Sequence, residues 1–277
     1  MSLSKSLKAI ALAVPLLFGA SQAFAAGTPF CVDTTGYDPT DGITGNQVAC
    51  FGEGAQAGET GFEVRNLNGS YVEKFQAFFV GPQLNFAATI LADWNSFVGM
   101  NGAGINGTGL DNDYNLYAVV QATGFVSGAN SFFATGATLS LFMDANQDAD
   151  LSLAGIDNGT LAFTGAGAGD VLLASSTTLL SGSGTTSASA GSDGFAVLFD
   201  DFVLTATGED FFIAPRPFYI RVYSDGDIND GTVETVAPGL FEIQGDLSAE
   251  FRIPEPGTLA LAGLALLGAG VARRRKA

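Results

Sequence analysis

The sequence predicts an all-β fold, a single β-sandwich or jelly-roll-like domain, on three observations. Short runs of β-branched and aromatic residues recur along the chain, several in strict alternation, and 23 phenylalanines supply core material. Glycine, serine, threonine and asparagine punctuate those runs densely, with 37 glycines among 277 residues. The interior shows neither the 3.6-residue apolar spacing of a long amphipathic helix nor a fixed-period repeat.

The elements follow in chain order. Residues 61–65 alternate. The run 71–80 is longer, with Phe75, Phe78 and Phe79 as core candidates. Residues 86–94 fit a strand or a short helix. A good strand lies within 114–125, and 137–143 alternates cleanly. The runs 170–173 and 177–180 are short. Residues 181–193 are low-complexity Gly, Ser, Thr and Ala, which predicts a loop. Runs at 195–204, 211–213, 218–223 and 240–243 complete about ten strands, the usual content of a sandwich. No proline-rich or charged linker interrupts them, so residues 26–253 read as one domain.

Both ends carry targeting chemistry. Lys5 and Lys8 precede an apolar core over 9–20, broken by Pro15, and Ala23-Phe24-Ala25 is a small-x-small cleavage site. Residues 1–25 therefore read as a signal peptide for the secretion translocon, too short to span a membrane stably. At the other end, 254–277, Pro254-Glu255-Pro256 makes a stiff entry that neither helix nor strand continues. The uncharged stretch 257–272 reads as a transmembrane helix of roughly 24 Å. Arg273, Arg274, Arg275 and Lys276 then hold its end on the cytoplasmic side. This order of Pro-Glu-Pro, apolar helix and basic cluster resembles the PEP-CTERM sorting signal. The resemblance implies an exosortase as partner, a transient anchor in the inner membrane, cleavage near Pro-Glu-Pro and delivery to the cell surface or beyond. The alternative is an ordinary C-terminal anchor that is never cut.

Trimming both ends leaves five basic residues, Arg65, Lys74, Arg216, Arg221 and Arg252, against the chain's 28 acidic ones, of which only Glu255 could leave with the tail, a net charge of about −23. Such a surface repels nucleic acid and anionic membranes and attracts divalent cations. Cys31 and Cys50 are the two cysteines, and outside the cytoplasm they are expected to pair. The closed loop of about 20 residues would contribute roughly 3 kcal/mol.

Asp144, Asn146, Asp148 and Asp150 place side-chain oxygens at every second position directly after a strand. Ca²⁺ takes six to eight hard oxygen ligands, and a loop of this spacing can supply several. It lacks the glycine and glutamate of an EF-hand loop, so it is closer to the open Ca²⁺ loops of exported β-domains. A second candidate is Asp225, Asp227 and Asn229, and a third, Asp111-Asn112-Asp113, reads as a turn. For each the alternative is a solvated turn closed by local Asp and Asn hydrogen bonds.

Absences narrow the chemistry. The chain has no histidine, which removes Ser-His-Asp, Cys-His and histidine-metal sites together. Paired cysteines leave no thiolate. No cofactor is required, and no local pattern picks out a glycosidase acid and nucleophile.

The body also resembles the flocculation-associated PEP-CTERM proteins of floc-forming bacteria. The resemblance rests on Asp93-Trp94, the Gly/Asn-rich stretch 99–110, Tyr114-Asn115-Leu116-Tyr117-Ala118, the run from Leu139 to Asp148, and the run from Phe211 to Tyr219. It implies a non-enzymatic matrix protein needed for cells to aggregate with their exopolysaccharide. Trp94, flanked by Asp93 and Asn95, suits a sugar-stacking platform; the alternative places it in the core. Arg216 suits either an acidic polysaccharide or a local acid. The rival functions are a carbohydrate-active hydrolase of the matrix and a purely structural surface protein.

Overall fold

The computed structural model describes residues 29–35, 47–52, 54–152, 162–165, 167, 169–186, 194–216, 218–225 and 236–252. Segments 1–25 and 254–277, expected as a signal peptide and as a sorting signal with an apolar helix, lie outside them. Among the described residues no helix is long and apolar enough to cross a membrane.

The structure is nearly all β, with large antiparallel sheets, as the alternation predicts. The main wall is a meander: β4 (Asn66–Val80), β5 (Gln83–Val98), β6 (Asn115–Ser127) and β7 (Ser131–Asp144) pair in sequence order. The chain then returns as β10 (Val171–Ser176) and β11 (Thr178–Thr185), which follow one another along the same side of β7. Next come β12 (Gly194–Leu204), β14 (Phe218–Asp225) and β15 (Gly239–Arg252). β14 pairs with both β12 and β15, and β15 pairs with β4 from Gly239↔Ala77 to Glu250↔Asn66. The two walls face each other across one core, as in a sandwich, yet continuous pairing joins them at both sides. The result is a closed, flattened barrel whose strands follow a meander rather than the crossed order of a jelly roll.

Alternation decides which side chains fill it. On β4, Leu67, Tyr71 and Phe75 point inward; on β5, Phe86, Ile90 and Trp94; on β6, Leu116, Ala118 and Val120. Phenylalanines close the two ends. At one end Phe75 and Phe86 stack at 5.0 Å, with Phe132 against both. At the other, a small sheet of β1 (Phe30–Val32), β2 (Val48–Ala49), β3 (Thr60–Val64) and β13 (Phe212–Ala214) covers the opening. There Phe30 and Phe212 lie 4.2 and 5.1 Å from Phe251, the penultimate residue of β15. Cys31 and Cys50 form the expected disulfide in this cap and pack on Ile213 and Ala214.

Several expectations are revised. The run 86–94 is strand, because both its neighbours bond to it along its whole length. Residues 181–185 are strand and not loop; Gly182 and Gly184 leave room for Ala134 and the Phe132 ring. The run 240–243 grows to the full length of β15 because twelve pairs with β4 reward it. Phe211 ends a short helix, α1 (Ala206–Phe211), capped by Thr205, whose hydroxyl accepts the Gly208 N–H. Phe75 is core, but Phe78 and Phe79 are 38 % and 61 % exposed. Trp94 is 2 % exposed, so its ring cannot stack on a sugar. Gly69 is its cross-strand partner, and a Cβ there would stand 1.9 Å from the Asp93 carbonyl oxygen.

One inward position holds an acid. Glu73 lies between Ile90 and Ile243 across the ladders, is 6 % exposed, and has its carboxyl pushed up from 4.5 to about 8 by burial. Below about pH 4.5 the folded and unfolded states both hold the proton, so the group is neutral to stability. As pH rises toward 8 only the unfolded state ionises, and stability falls by about 1.4 kcal/mol per pH unit, then levels off.

Two outcomes are expected. Glu73→Gln removes that decline, so thermal melts of the variant and the parent, compared from pH 5 to 9, separate increasingly up to pH 8; parallel curves would refute the assignment. Gly69→Ala lowers stability by about 2–4 kcal/mol. Urea unfolding followed by the emission of Trp94, the single tryptophan, reads the shift in midpoint.

Candidate functional site

The strongest constellation lies where β7 ends and β10 begins. Antiparallel pairing of Val171 with Met143 brings the residues just outside it, Asp144 and Asp170, side by side. Between them the chain makes a long excursion containing β8 (Asp150–Ser152) and β9 (Ala162–Thr164), which pair with each other.

Asp144 is fully buried, and its own loop holds it. Oδ1 accepts the Asn146 N–H at 3.0 Å and Oδ2 accepts the Ala149 N–H at 2.7 Å. Gln147 takes φ 56°, in the left-handed region, and this reversal returns Asp148 toward Asp144. The other arm of the excursion then packs closely. Gly165, at φ +81°, has its Cα so near Asp148 that a Cβ would stand 1.8 Å from the Asp148 carbonyl oxygen. Gly169, at φ +102°, lies against the Asn146 amide. Asp170 Oδ2 accepts the Tyr117 hydroxyl at 2.5 Å and the Gly167 N–H, while its Oδ1 is buried and has no hydrogen-bond partner.

The outcome is three carboxylates, of Asp144, Asp148 and Asp170, each offering an oxygen within 4.8 Å of the others. Oxygens bound to one Ca²⁺ at about 2.3–2.6 Å can lie at most about 5 Å apart, so the spacing fits a single ion. Three negative charges this close repel one another unless a cation sits among them. Their field reaches Tyr117. Burial first, then the hydrogen bond to Asp170 and the charges of Asp170 and Asp144, push its phenol well above the usual range, so it stays a donor. Tyr117 stacks on Phe142 at 5.1 Å and, with Val72 and Leu91, forms an apolar pad on the outer wall beneath the excursion.

The sequence candidates divide accordingly. Asp144 and Asp148 come together, and Asn146 lies beside them. The side chains of Asp150 and Asp225, and residues Asp227 and Asn229, lie outside the described residues, as do Pro254, Glu255, Pro256, Arg273, Arg274 and Arg275. Asp111-Asn112-Asp113 is a turn, closed by the Asp111 N–H on the Tyr114 carbonyl at 2.9 Å. Trp94 and Asp93 make no glycan platform: the ring is in the core and only Asp93 faces outward. Arg216 pairs with Glu209 at 3.4 Å and donates to the Phe212 carbonyl, so it serves the cap rather than a ligand. Asp170 and Tyr117 escaped the sequence reading. The one local signal for Asp170 was its place at the end of the run Gly165, Gly167, Gly169, directly before a strand.

Comparison with known proteins bears on the tail. No curated protein and no solved structure matches the chain. The PEP-CTERM protein-sorting motif is found at residues 252–276, beginning on the last residue of β15. The end of the barrel that holds Arg252 therefore leads directly into the signal by which an exosortase processes an exported protein, anchored transiently at the membrane.

Proposed function

We propose that this chain is a non-enzymatic matrix protein that promotes cell aggregation in association with exopolysaccharide, with Ca²⁺ held by Asp144, Asp148 and Asp170. The observation that carries the reading is the sorting motif at 252–276, which directs the barrel out of the cell. The absence of histidine and the pairing of both cysteines agree with a binding role, since the usual nucleophile-activating groups are missing. The likeness of the body to flocculation-associated PEP-CTERM proteins supplies the aggregation role. The acidic cluster supports the cation: hard oxygen donors at one-ion spacing, one of them buried without a partner. When bound, the ion would neutralise three charges and tie the ends of β7 and β10 together.

Deletion of the gene is expected to disperse cells in shaken culture, measured by settling and microscopy. The full chain restores clumping, and a chain ending at Ile253 does not. Normal clumping of the deletion strain would refute the aggregation role. For the ion, Ca²⁺ at a hundred times its Kd is expected to stabilise the full chain by about 3 kcal/mol, read as a rise in melting temperature over the chelated protein. Asp170→Asn, which keeps shape and removes charge, abolishes the rise. Equal melting with and without Ca²⁺ would rule the site out.

A further inference from the structure

The outer wall of the barrel carries an aromatic row that the core does not use. Phe78 on β4 pairs with Asn85 on β5, Asn85 with Phe125 on β6, Phe125 with Phe133 on β7, and Phe133 with Ser183 on β11. Their chain neighbours Ala77, Phe86, Val126 and Phe132 point inward, so this row points out. Phe78 and Phe133 are 38 % and 41 % exposed, and Phe125 stacks on Phe133 at 5.6 Å with the rings 26° apart. Phe78 stands two strands from Phe125, about 9.6 Å away. Gln76 and Leu240 extend the row along the next ladder positions, Leu240 being 45 % exposed. Asn85 lies between Phe78 and Phe125, Ser183 and Gln76 flank the row, and none of the residues named carries a charge, although the chain holds 28 acids.

Position matters as much as composition. The β15–β4 ladder runs from Glu250↔Asn66 to Gly239↔Ala77, roughly 40 Å at about 3.4 Å per residue. Arg252, where the sorting motif begins, is at one end, and the aromatic row is at the other. When the tail is anchored, the row lies near the end of the barrel opposite the anchor.

Charge selects the occupant. A chain of net charge −17 repels anionic lipid, anionic glycan and a second copy of itself. Among the described residues, closed pairing leaves the main sheet no edge for a partner strand. A flat, uncharged row of rings with interleaved amides matches the alternating C–H faces and hydroxyls of a neutral sugar chain. We infer that Phe78, Phe125 and Phe133, with Asn85 between them, form the surface on which a neutral polysaccharide lies across the strands. The inference rests on the polysaccharide association proposed above and names its chemistry and location.

Native affinity electrophoresis of the full chain in detergent tests it. The gels contain hydroxyethylcellulose or dextran as neutral probes, alginate as an anionic one, and the producing strain's own purified polysaccharide. Retardation is expected with a neutral probe and not with alginate. Phe78→Ala with Phe133→Ala weakens it about tenfold or more, and Phe133→Trp restores or strengthens it. Both residues are exposed, and an unchanged melting temperature shows that the variant is folded. Retardation by any polysaccharide that the double variant keeps in full overturns this surface and leaves the association standing. Retardation by alginate alone overturns the neutral specificity. Retardation by no polysaccharide, the strain's own included, overturns both readings. Loss of oligomers on sedimentation of the double variant, without any glycan retardation, assigns the row to self-association instead.

Discussion

Closure of the main sheet is the constraint on which the other features depend. β15 bonds to β4 on one side and to β14 on the other, and β14 bonds back to β12, so the ladder has no end. A closed ladder turns alternation into a strict partition between inside and outside. The inside must then be filled, and phenylalanine does most of the filling at the two ends. Burial at about 25 cal/mol per Å² favours this arrangement, and it also traps what does not belong. Glu73 is trapped in this sense: its position on β4 is inward by parity, and the fold keeps its carboxyl protonated through the neutral range.

The acidic cluster is a second consequence. Asp144 and Asp170 are far apart in the chain and adjacent in space because β7 and β10 are antiparallel neighbours. Two glycines allow the arms of the excursion to touch, at Gly165 on Asp148 and at Gly169 on Asn146. A larger residue at Gly165 would meet the Asp148 backbone and separate the carboxylates that the pairing brings together. The pad of Tyr117, Phe142, Val72 and Leu91 gives the excursion an apolar seat, and Tyr117 joins seat to cluster through its hydroxyl.

The ends of the barrel have different chemistry. One holds the disulfide, the capping sheet, the acidic cluster and the exit to the sorting motif. The other holds the tight hairpin between β4 and β5 and the exposed Phe78, Phe79 and Phe133. The exit to the sorting motif and the acidic cluster thus share one pole, and the aromatic row occupies the wall near the opposite pole. A barrel arranged in this way keeps its aromatic wall away from the end that leads into the sorting motif.

The sequence by itself determined what local chemistry determines. Alternation in 137–143, the prolines and arginines of the tail, the pairing of Cys31 with Cys50 and the approach of Asp148 to Asp144 were all legible, because each depends on residues close together or on composition. Tertiary structure decided the rest. It lengthened β15, made strand of 181–185, put Trp94 inside and Phe78 outside, and added Asp170 to the cluster. Each of these follows from which strand lies beside which. Backbone hydrogen bonds set that pairing around the whole barrel, and for β15 with β4 and β10 with β7 no short window of sequence contains both partners.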